Sequence, residues 1–171
     1  METWDAIRAR RNVRSFTDEP VPDAVLDQIL EAARRTPSSS NQQRWDFVVV
    51  TDRDLLVQLA EVWRGAGFIA HAAAAIALVA PAQEDPRMTA SVHYDFGQVT
   101  MSIMIAAADQ GVGSCHTVVM DQELGRRLLG YPDDHTCTWL LGLGYPADRP
   151  LTPIRTPNRR PFDEVVHRGG W

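Results

Sequence analysis

A long helical pattern in the middle of the chain limits its possible folds more than any other feature. Residues 89–110 are rich in Met, Ile and Ala and are apolar over much of the helix circumference. A helix with so little polar surface has to be covered on most sides. We therefore expect it at the centre of the fold or at a subunit interface, ended by Gly111-Val112-Gly113.

Short strands and further helices surround this pattern. A first helix capped by Thr3 would place Trp4 and Ile7 on its apolar side. Periodicity predicts other helices over residues 22–36, 52–63 and 121–129, and strands over 47–50, 74–80, 114–120 and 139–143. No repeat and no shift in composition marks a domain boundary. We expect residues 1–171 to form one α+β domain, with a small mixed sheet flanked by helices around the long central helix.

Composition and charge exclude several classes of function. All 17 positive side chains are arginine, which removes Schiff-base lysines and the lysine of a P-loop. A net charge of −5 leaves no broad basic surface for nucleic acid. The most apolar run, residues 70–81, is too short to cross a membrane, and the first residues lack a signal-peptide core. Cys115 and Cys137 form no disulfide framework, and no metal-ligand spacing is present. We expect a cytoplasmic protein without nucleic acid, membrane or metal partners.

Two arginine clusters lie near opposite ends of the chain. Arg10, Arg11 and Arg14 surround Asn12, and Arg159-Arg160 lie in a proline-rich tail with few apolar residues. Such a tail cannot build its own core, so we expect it to wrap over another part of the structure. Guanidinium groups match phosphate oxygens two at a time. Each cluster alone also fits surface charge or a solvated helix end. Together they predict that both ends of the chain converge on one phosphate.

Other segments are less specific on their own. The polar residues 37–45 are typical of a turn. The Cys115-His116 pair lacks a third orienting group, so we expect no thiol catalysis. Met101 and Met104 are expected to pack in the core. Gly111-Val112-Gly113 lacks the third glycine of a dinucleotide fingerprint and follows a helix, which excludes a Rossmann interpretation.

Five ordered motifs resemble the FMN-dependent nitroreductase family over essentially the whole chain. They are Arg10-Arg11-Asn12-Val13-Arg14, Pro37-Ser38-Ser39-Ser40-Asn41-Gln42-Gln43-Arg44-Trp45, Asp95-Phe96-Gly97, Gly111-Val112-Gly113-Ser114-Cys115, and Leu143-Gly144-Tyr145-Pro146 followed by Arg159-Arg160-Pro161. One such motif is weak, whereas five in order with family-like spacing are specific. The resemblance implies a nitroreductase-like fold and an intertwined homodimer with an extended C-terminal arm. It also implies two FMN sites that lie between the subunits.

The resemblance also assigns roles to individual residues. It implies that the phosphate and ribityl chain contact Arg10, Arg11, Asn12, Arg14, Arg159 and Arg160. It implies that the flavin ring contacts Pro37, Ser38, Ser39 and Asn41 of the partner subunit. The backbone N–H of Val118 or Val119 would face flavin N5. No catalytic residue is expected, because the flavin supplies the chemistry and the protein orients its ring.

The chain departs from the family pattern at three places. Arg44 replaces a common proline next to the ring-binding segment, and its charge would favour an anionic substrate or cofactor. His116 stands where a tryptophan is common, followed by residues 117–120 in place of a glycine-rich turn. We expect Cys115 in the core and His116 close to the flavin. Met101-Ser102 replaces a common Gln-Asn pair in the long helix.

The resemblance implies an oxidoreductase with two half-reactions. Hydride would pass from NAD(P)H to FMN, and then to a nitroaromatic, quinone or similar electron-poor acceptor that takes the place of the nicotinamide. Two alternatives remain open at this stage. One is a biosynthetic flavin dehydrogenase or oxidase of the same fold. The other is a non-enzymatic module that stores or senses flavin, suggested by the altered residues 116–120.

Overall fold

The computed structural model describes all residues, 1–171, as five helices and four strands joined by short connections. The helices are α1 (Thr3–Ala9), α2 (Asp23–Arg34), α3 (Arg53–Leu59), α4 (Pro86–Asp109) and α5 (Gln122–Leu129). The strands are β1 (Asp46–Val50), β2 (Ala74–Pro81), β3 (Gly113–Val118) and β4 (His135–Gly144). Single 3₁₀ turns occur at Ser39–Asn41, Ala60–Val62, Gly67–His71 and Phe162–Glu164. The predicted α+β class is confirmed.

The four strands form one sheet in the order β1-β2-β4-β3, and every neighbouring pair is antiparallel. The predicted mixed sheet is therefore antiparallel in all four strands, and parallel pairing is limited to one bridge between Asn12 and Ser114. Strand direction depends on the course of the connections between strands. It cannot be read from the residues of a strand alone. Because β3 pairs only with β4, its outer edge is not covered by another strand of this chain.

Helices cover both faces of the sheet. On one face, α2 and α4 pack against Ile76, Leu78 and Leu141 in a single apolar cluster. On the other face, α3 and the Gly67–His71 turn pack against the alternate residues of the same strands. This separation follows from the two-residue periodicity of the strands. The predicted central helix is confirmed in α4, because Phe96 and Ile103 are fully buried.

Several predicted boundaries and one predicted face differ from the structure. Helix α4 starts at Pro86, earlier than the apolar pattern, because the Asp85 carboxylate accepts a hydrogen bond from the Arg87 N–H. Strand β4 starts at His135, before the apolar run, because its polar first residues pair with the end of β2. Trp4, predicted on the apolar side of the first helix, is 66% exposed, whereas Ala6 is buried. Helix α1 is too short to bury more than the small side chains Ala6 and Ala9.

The C-terminal tail runs over the protein surface as an extended segment. Its first part is held by two backbone hydrogen bonds, from Ala147 N–H to the Ser15 carbonyl and from Ile154 N–H to the Arg8 carbonyl, both 3.0 Å long. Residues 155–171 are exposed. Among the helices, none combines the length and the apolar character that crossing a membrane requires.

Candidate functional site

A cavity of about 350 Å³ lies between α4 and the edge strand β3. Its wall is formed by Arg10, His93, Gly97, Thr100, Met101, Met104, His116 and Trp139. The α4 residues among them recur at three- and four-residue spacing, which places them on one side of that helix. No carboxylate lines the cavity, although the chain as a whole carries a net charge of −5. The cavity is therefore suited to an anionic ligand.

Close backbone packing holds the first arginine cluster beside this cavity. The Val13 N–H donates a hydrogen bond of 3.0 Å to the Ser114 carbonyl, next to the bridge between Asn12 and Ser114. The approach is possible because residue 113 is glycine. A Cβ atom there would lie 2.8 Å from the Cβ of Val13, closer than side chains pack. The arginine segment is thus fixed against β3 by the backbone.

Arg10 presents unused hydrogen-bond donors at the cavity wall. Its Nε atom is buried and has no partner. Its Nη1 atom makes only long contacts, 3.5 Å to Asn12 Oδ1 and 4.0 Å to Met104 Sδ. A buried Nε–H donor without a partner is costly unless a ligand supplies the acceptor. Arg10 lies at the cavity wall, and Asn12 is its neighbour at 3.5 Å; their predicted role in phosphate binding stays a prediction.

His116 contributes a second buried nitrogen without a partner. Its Nδ1 atom accepts and donates no hydrogen bond within the protein. The imidazole ring contacts Trp139 edge to face, with 5.6 Å between the ring centroids. Burial lowers the pKa of His116, and the nearby Arg10 and Arg14 guanidinium groups lower it further. The imidazole is consequently neutral at pH 7 while no anion occupies the cavity.

The edge of β3 offers backbone donors as well. The Val119 N–H donates to the Thr138 carbonyl at 3.1 Å, and the Val119 side chain is buried. Hydrogen-bonded and non-hydrogen-bonded pairs alternate along antiparallel strands, so the N–H groups of Val118 and His116 point away from β4. Of the two N–H groups predicted to face flavin N5, that of Val119 is therefore used within the sheet. The Val118 N–H stays available to a ligand.

The other arginines of the first cluster have different surroundings. Arg11 Nη2 lies 2.6 Å from Asp148 Oδ1 and 2.8 Å from the Arg149 carbonyl oxygen, so Arg11 ties the start of the tail to this region. The Arg11 guanidinium lowers the pKa of the Asp148 carboxyl. Arg14 is exposed and lies 6.0 Å from the centroid of the Phe68 ring, without an acidic partner.

The second predicted segment lies in another cavity. Pro37, Ser38 and Ser39 line a space of about 460 Å³ together with residues of α4. The Ser39 N–H donates to both carboxylate oxygens of Asp95, each at 3.2 Å, and Asp95 is only 6% exposed. Beyond this anchor the backbone is unusual, because three non-glycine residues have positive φ angles: Ser40, Asn41 and Gln43. Such conformations are costly and often mark functional loops.

The two cavities lie on different sides of α4. The first is lined by His93, Gly97 and Thr100, and the second by Asp95 and Gln98. On a helix, positions two residues apart point about 200° from each other. A single chain therefore does not bring the segment 37–41 to the Arg10 cavity.

The C-terminal arginines are also separate within one chain. Arg159 donates to the neighbouring Asn158 carbonyl, and Arg160 forms an ion pair of 3.4 Å with Glu164. Their hydrogen bonds lie within the tail itself. The predicted meeting of both arginine clusters thus remains a prediction for an assembly of more than one chain.

Cys115 and His116 are neighbours in the sequence, but their side chains lie on opposite faces of the sheet. Cys115 packs in the cluster on the α3 face, whereas His116 faces α4, because successive strand residues point to opposite sides. Burial raises the pKa of Cys115, and it raises the pKa of Cys137 to about 12. Neither thiol is positioned as a nucleophile. No group of three or more His, Cys, Asp and Glu side chains is arranged to hold a metal ion.

Sequence reasoning missed several residues of the cavity wall. Met104 packs in the core as predicted, but Met101 is 38% exposed and lines the cavity. Trp139 reaches the site because β4 pairs with β3 in a register that places it opposite Val118. That register is a tertiary property, and no local signal in the sequence reveals it.

Comparisons with known proteins agree on one family. A sequence model described as the nitroreductase family matches residues 7–81 and 60–145. A relative from Archaeoglobus fulgidus, whose name includes NAD(P)H nitroreductase, is 33% identical over 178 residues, covering 99% of each chain. The oxygen-insensitive NADPH nitroreductase of Salmonella typhimurium is 31% identical over 183 residues, covering 99% of this chain and 74% of that protein. The structure of the NADPH:FMN oxidoreductase from Vibrio harveyi, complexed with NAD⁺, superposes with a TM-score of 0.82 at 26% identity, covering 97% of this chain and 76% of that one.

Proposed function

Because this chain belongs to the nitroreductase family, we propose that it is an FMN-dependent NAD(P)H oxidoreductase. It takes hydride from NAD(P)H and passes it to an electron-poor acceptor such as a nitroaromatic or a quinone. The two substrates use the same open face of the cofactor in turn. The bound FMN supplies the hydride-accepting ring, and the protein binds and orients it.

One observation carries this proposal: the cavity beside β3 combines unpartnered buried nitrogens with an absence of acidic groups. Arg10 Nε and His116 Nδ1 are both buried without partners at its wall. An FMN phosphate carries nearly two negative charges and would satisfy Arg10 with charge-assisted hydrogen bonds. Flavin also presents hydrogen-bonding atoms along its ring edge, which suit His116 and the outward N–H of Val118. The residues therefore fit FMN.

Individual roles follow from these positions. Arg10, Asn12 and Arg14 bind the phosphate and ribityl chain, and the Val118 N–H faces flavin N5. Arg11 stabilises the site through its ion pair with Asp148, which fixes the start of the C-terminal arm. No protein side chain acts as a nucleophile. Apolar surface is provided at the cavity wall by Met101 and Met104 of α4 and by Trp139 of β4.

The complete site needs a second copy of the chain. The segment that contains Pro37, Ser38, Ser39 and Asn41 is held on the side of α4 away from the Arg10 cavity. In a homodimer packed through α4, this segment reaches the flavin ring of the partner. Exposed apolar side chains on α4, such as Tyr94 at 72% exposure, support that interface. The exposed arm then carries Arg159 and Arg160 toward a phosphate across the interface.

The proposal is tested by anaerobic mixing of the purified protein with NADH or NADPH. We expect a yellow, dimer-sized protein whose flavin absorbance bleaches on mixing and returns when a nitroaromatic or quinone is added. If neither nicotinamide bleaches the flavin, the proposal is wrong. Reduction by a different small-molecule donor with release of hydrogen peroxide would indicate a dehydrogenase or oxidase instead. Tight FMN binding without turnover would indicate a flavin-storing module.

A further inference from the structure

His116 is the titratable residue of the cavity whose position the proposed chemistry leaves unexplained. It lies in the middle of β3 with its ring toward α4, and its buried Nδ1 has no hydrogen-bond partner. The ring is held in place by the contact with Trp139. A histidine in a cavity wall, with a buried nitrogen that no protein group satisfies, is suited to respond to the charge of a ligand.

The charged groups around His116 determine how it responds. Arg10 at the end of α1 and Arg14 in the following loop are the cations that act on it. From α4, His93 faces the same cavity and is itself exposed to solvent. No carboxylate lines the cavity. Burial first, and the two guanidinium groups second, lower the pKa of the imidazole, and an added negative charge nearby would act in the opposite direction.

We propose that His116 takes up a proton when a flavin bound in this cavity is reduced, and thereby couples proton uptake to hydride transfer. This inference rests on the proposed function. Transfer of hydride oxidises the nicotinamide and adds one hydrogen nucleus and two electrons, and hence one net negative charge, to the site. His116 binds one proton from water and so neutralises the added charge. When the acceptor takes the hydride and the negative charge leaves, His116 returns its proton to the acceptor or to water.

The position of the negative charge makes His116 the responsive group. Reduced flavin carries its charge on the ring, and the guanidinium groups of the first cluster are assigned to the phosphate instead. Of the two histidines in the cavity wall, His116 is the one that is partly buried, so its neutral imidazole would be the group that changes its charge when a reduced flavin is bound. His93 is solvated, so water screens its interaction with the ring.

The test is the pH dependence of the two-electron midpoint potential of the holoprotein between about pH 6 and 8, where histidine titrates. Each proton taken up with an electron pair changes the potential by about 30 mV for a tenfold change in proton concentration. We expect a slope of about 60 mV per pH unit for the wild type and about 30 mV for His116→Asn. Asparagine keeps a hydrogen-bonding group near the position of Nδ1 but does not titrate.

A matched control and a second readout complete the experiment. His93→Gln removes the other histidine of the same cavity and should keep the wild-type slope. If His116→Asn binds FMN poorly, His116→Gln replaces it. Imidazole NMR signals of His116 should change from the neutral to the protonated pattern when the wild-type holoprotein is reduced at pH 7. Equal slopes for wild type and the His116 variants, all loaded with FMN, would overturn this inference and leave the proposed function intact. A protein that binds no FMN contradicts the proposed function itself.

Discussion

Asp95 is expected to control cofactor affinity although it lies on the side of α4 away from the Arg10 cavity. Its buried carboxylate accepts the Ser39 N–H through both oxygens at 3.2 Å. This bond anchors a loop in which Ser40 and Asn41 hold unfavourable positive φ angles. Without the anchor the loop relaxes, and FMN binding has to order it again. Asp95→Ala should therefore weaken FMN binding.

The size of the effect follows from the bond that is lost. A hydrogen bond to a charged group contributes about 1.5–3 kcal/mol, which corresponds to a roughly ten- to hundredfold rise in the FMN dissociation constant. Asp95→Asn keeps one acceptor oxygen without the charge, so its FMN dissociation constant should rise several-fold less than that of Asp95→Ala. Global stability should fall much less than affinity, because removing a buried carboxylate also removes its desolvation cost.

The assay is a fluorescence titration of each variant with FMN, together with urea unfolding. Asp85→Ala is the matched control, because Asp85 caps the same helix through the Arg87 N–H at 2.8 Å. Losing that cap costs about 1 kcal/mol of stability but leaves the loop anchored. We expect its FMN affinity to stay within about twofold of the wild type. Wild-type affinity in Asp95→Ala, or an equal loss in Asp85→Ala, would refute the anchoring role.

Other variants test the arginine site, the pH dependence of stability and the thiols. Arg10→Ala should cost about 1.5–3 kcal/mol of FMN affinity, the size of a charged hydrogen bond, and unchanged flavin occupancy would contradict its assignment to the phosphate. Two arginine neighbours lower the pKa of Glu31 from 4.5 to about 2 by hydrogen bonding. Because the folded-state pKa is the lower one, this stabilisation is present above pH 4.5 and is lost as the pH falls toward 2. Glu31→Gln should thus lower the urea midpoint at pH 7 in low salt and converge with the wild type on acidification. Cys115 and Cys137 should react with a thiol reagent only after unfolding, since both are fully buried and have raised pKa values. Rapid labelling of the native protein would contradict their placement in the core.

The fold class and the type of most elements, helix or strand, could be predicted from the sequence, because both depend on local periodicity. The amphipathic pattern of α2 and the apolar pattern of α4 require no knowledge of neighbours. Gly130, with φ of 72°, ends α5 where the sequence predicts. Strand direction, the early start of β4 and the exposure of Trp4 depend instead on what each element packs against. These properties arise only when the chain is assembled.

The candidate site divides in the same way. Arg10 was predicted from composition and motif, and the structure brings it to a cavity wall with an unpartnered Nε donor. Val119 and Trp139 could not be assigned correctly, because their positions depend on the register between β3 and β4. A shift of one residue would exchange the faces of the strand and turn His116 into the core. The functional character of His116 is thus a property of strand pairing.

Helix α4 links these observations, because it separates groups that the proposed chemistry needs together. His93, Gly97 and Thr100 face the Arg10 cavity, whereas Asp95 and Gln98 face the anchored loop. Since one helix cannot present both groups to one cofactor, the proposed function requires two copies of the chain. In that proposal, each copy supplies the β3 edge for its own flavin and the loop for its partner's flavin. The apolar pattern of α4 would then both constrain the fold and make the proposed site depend on assembly.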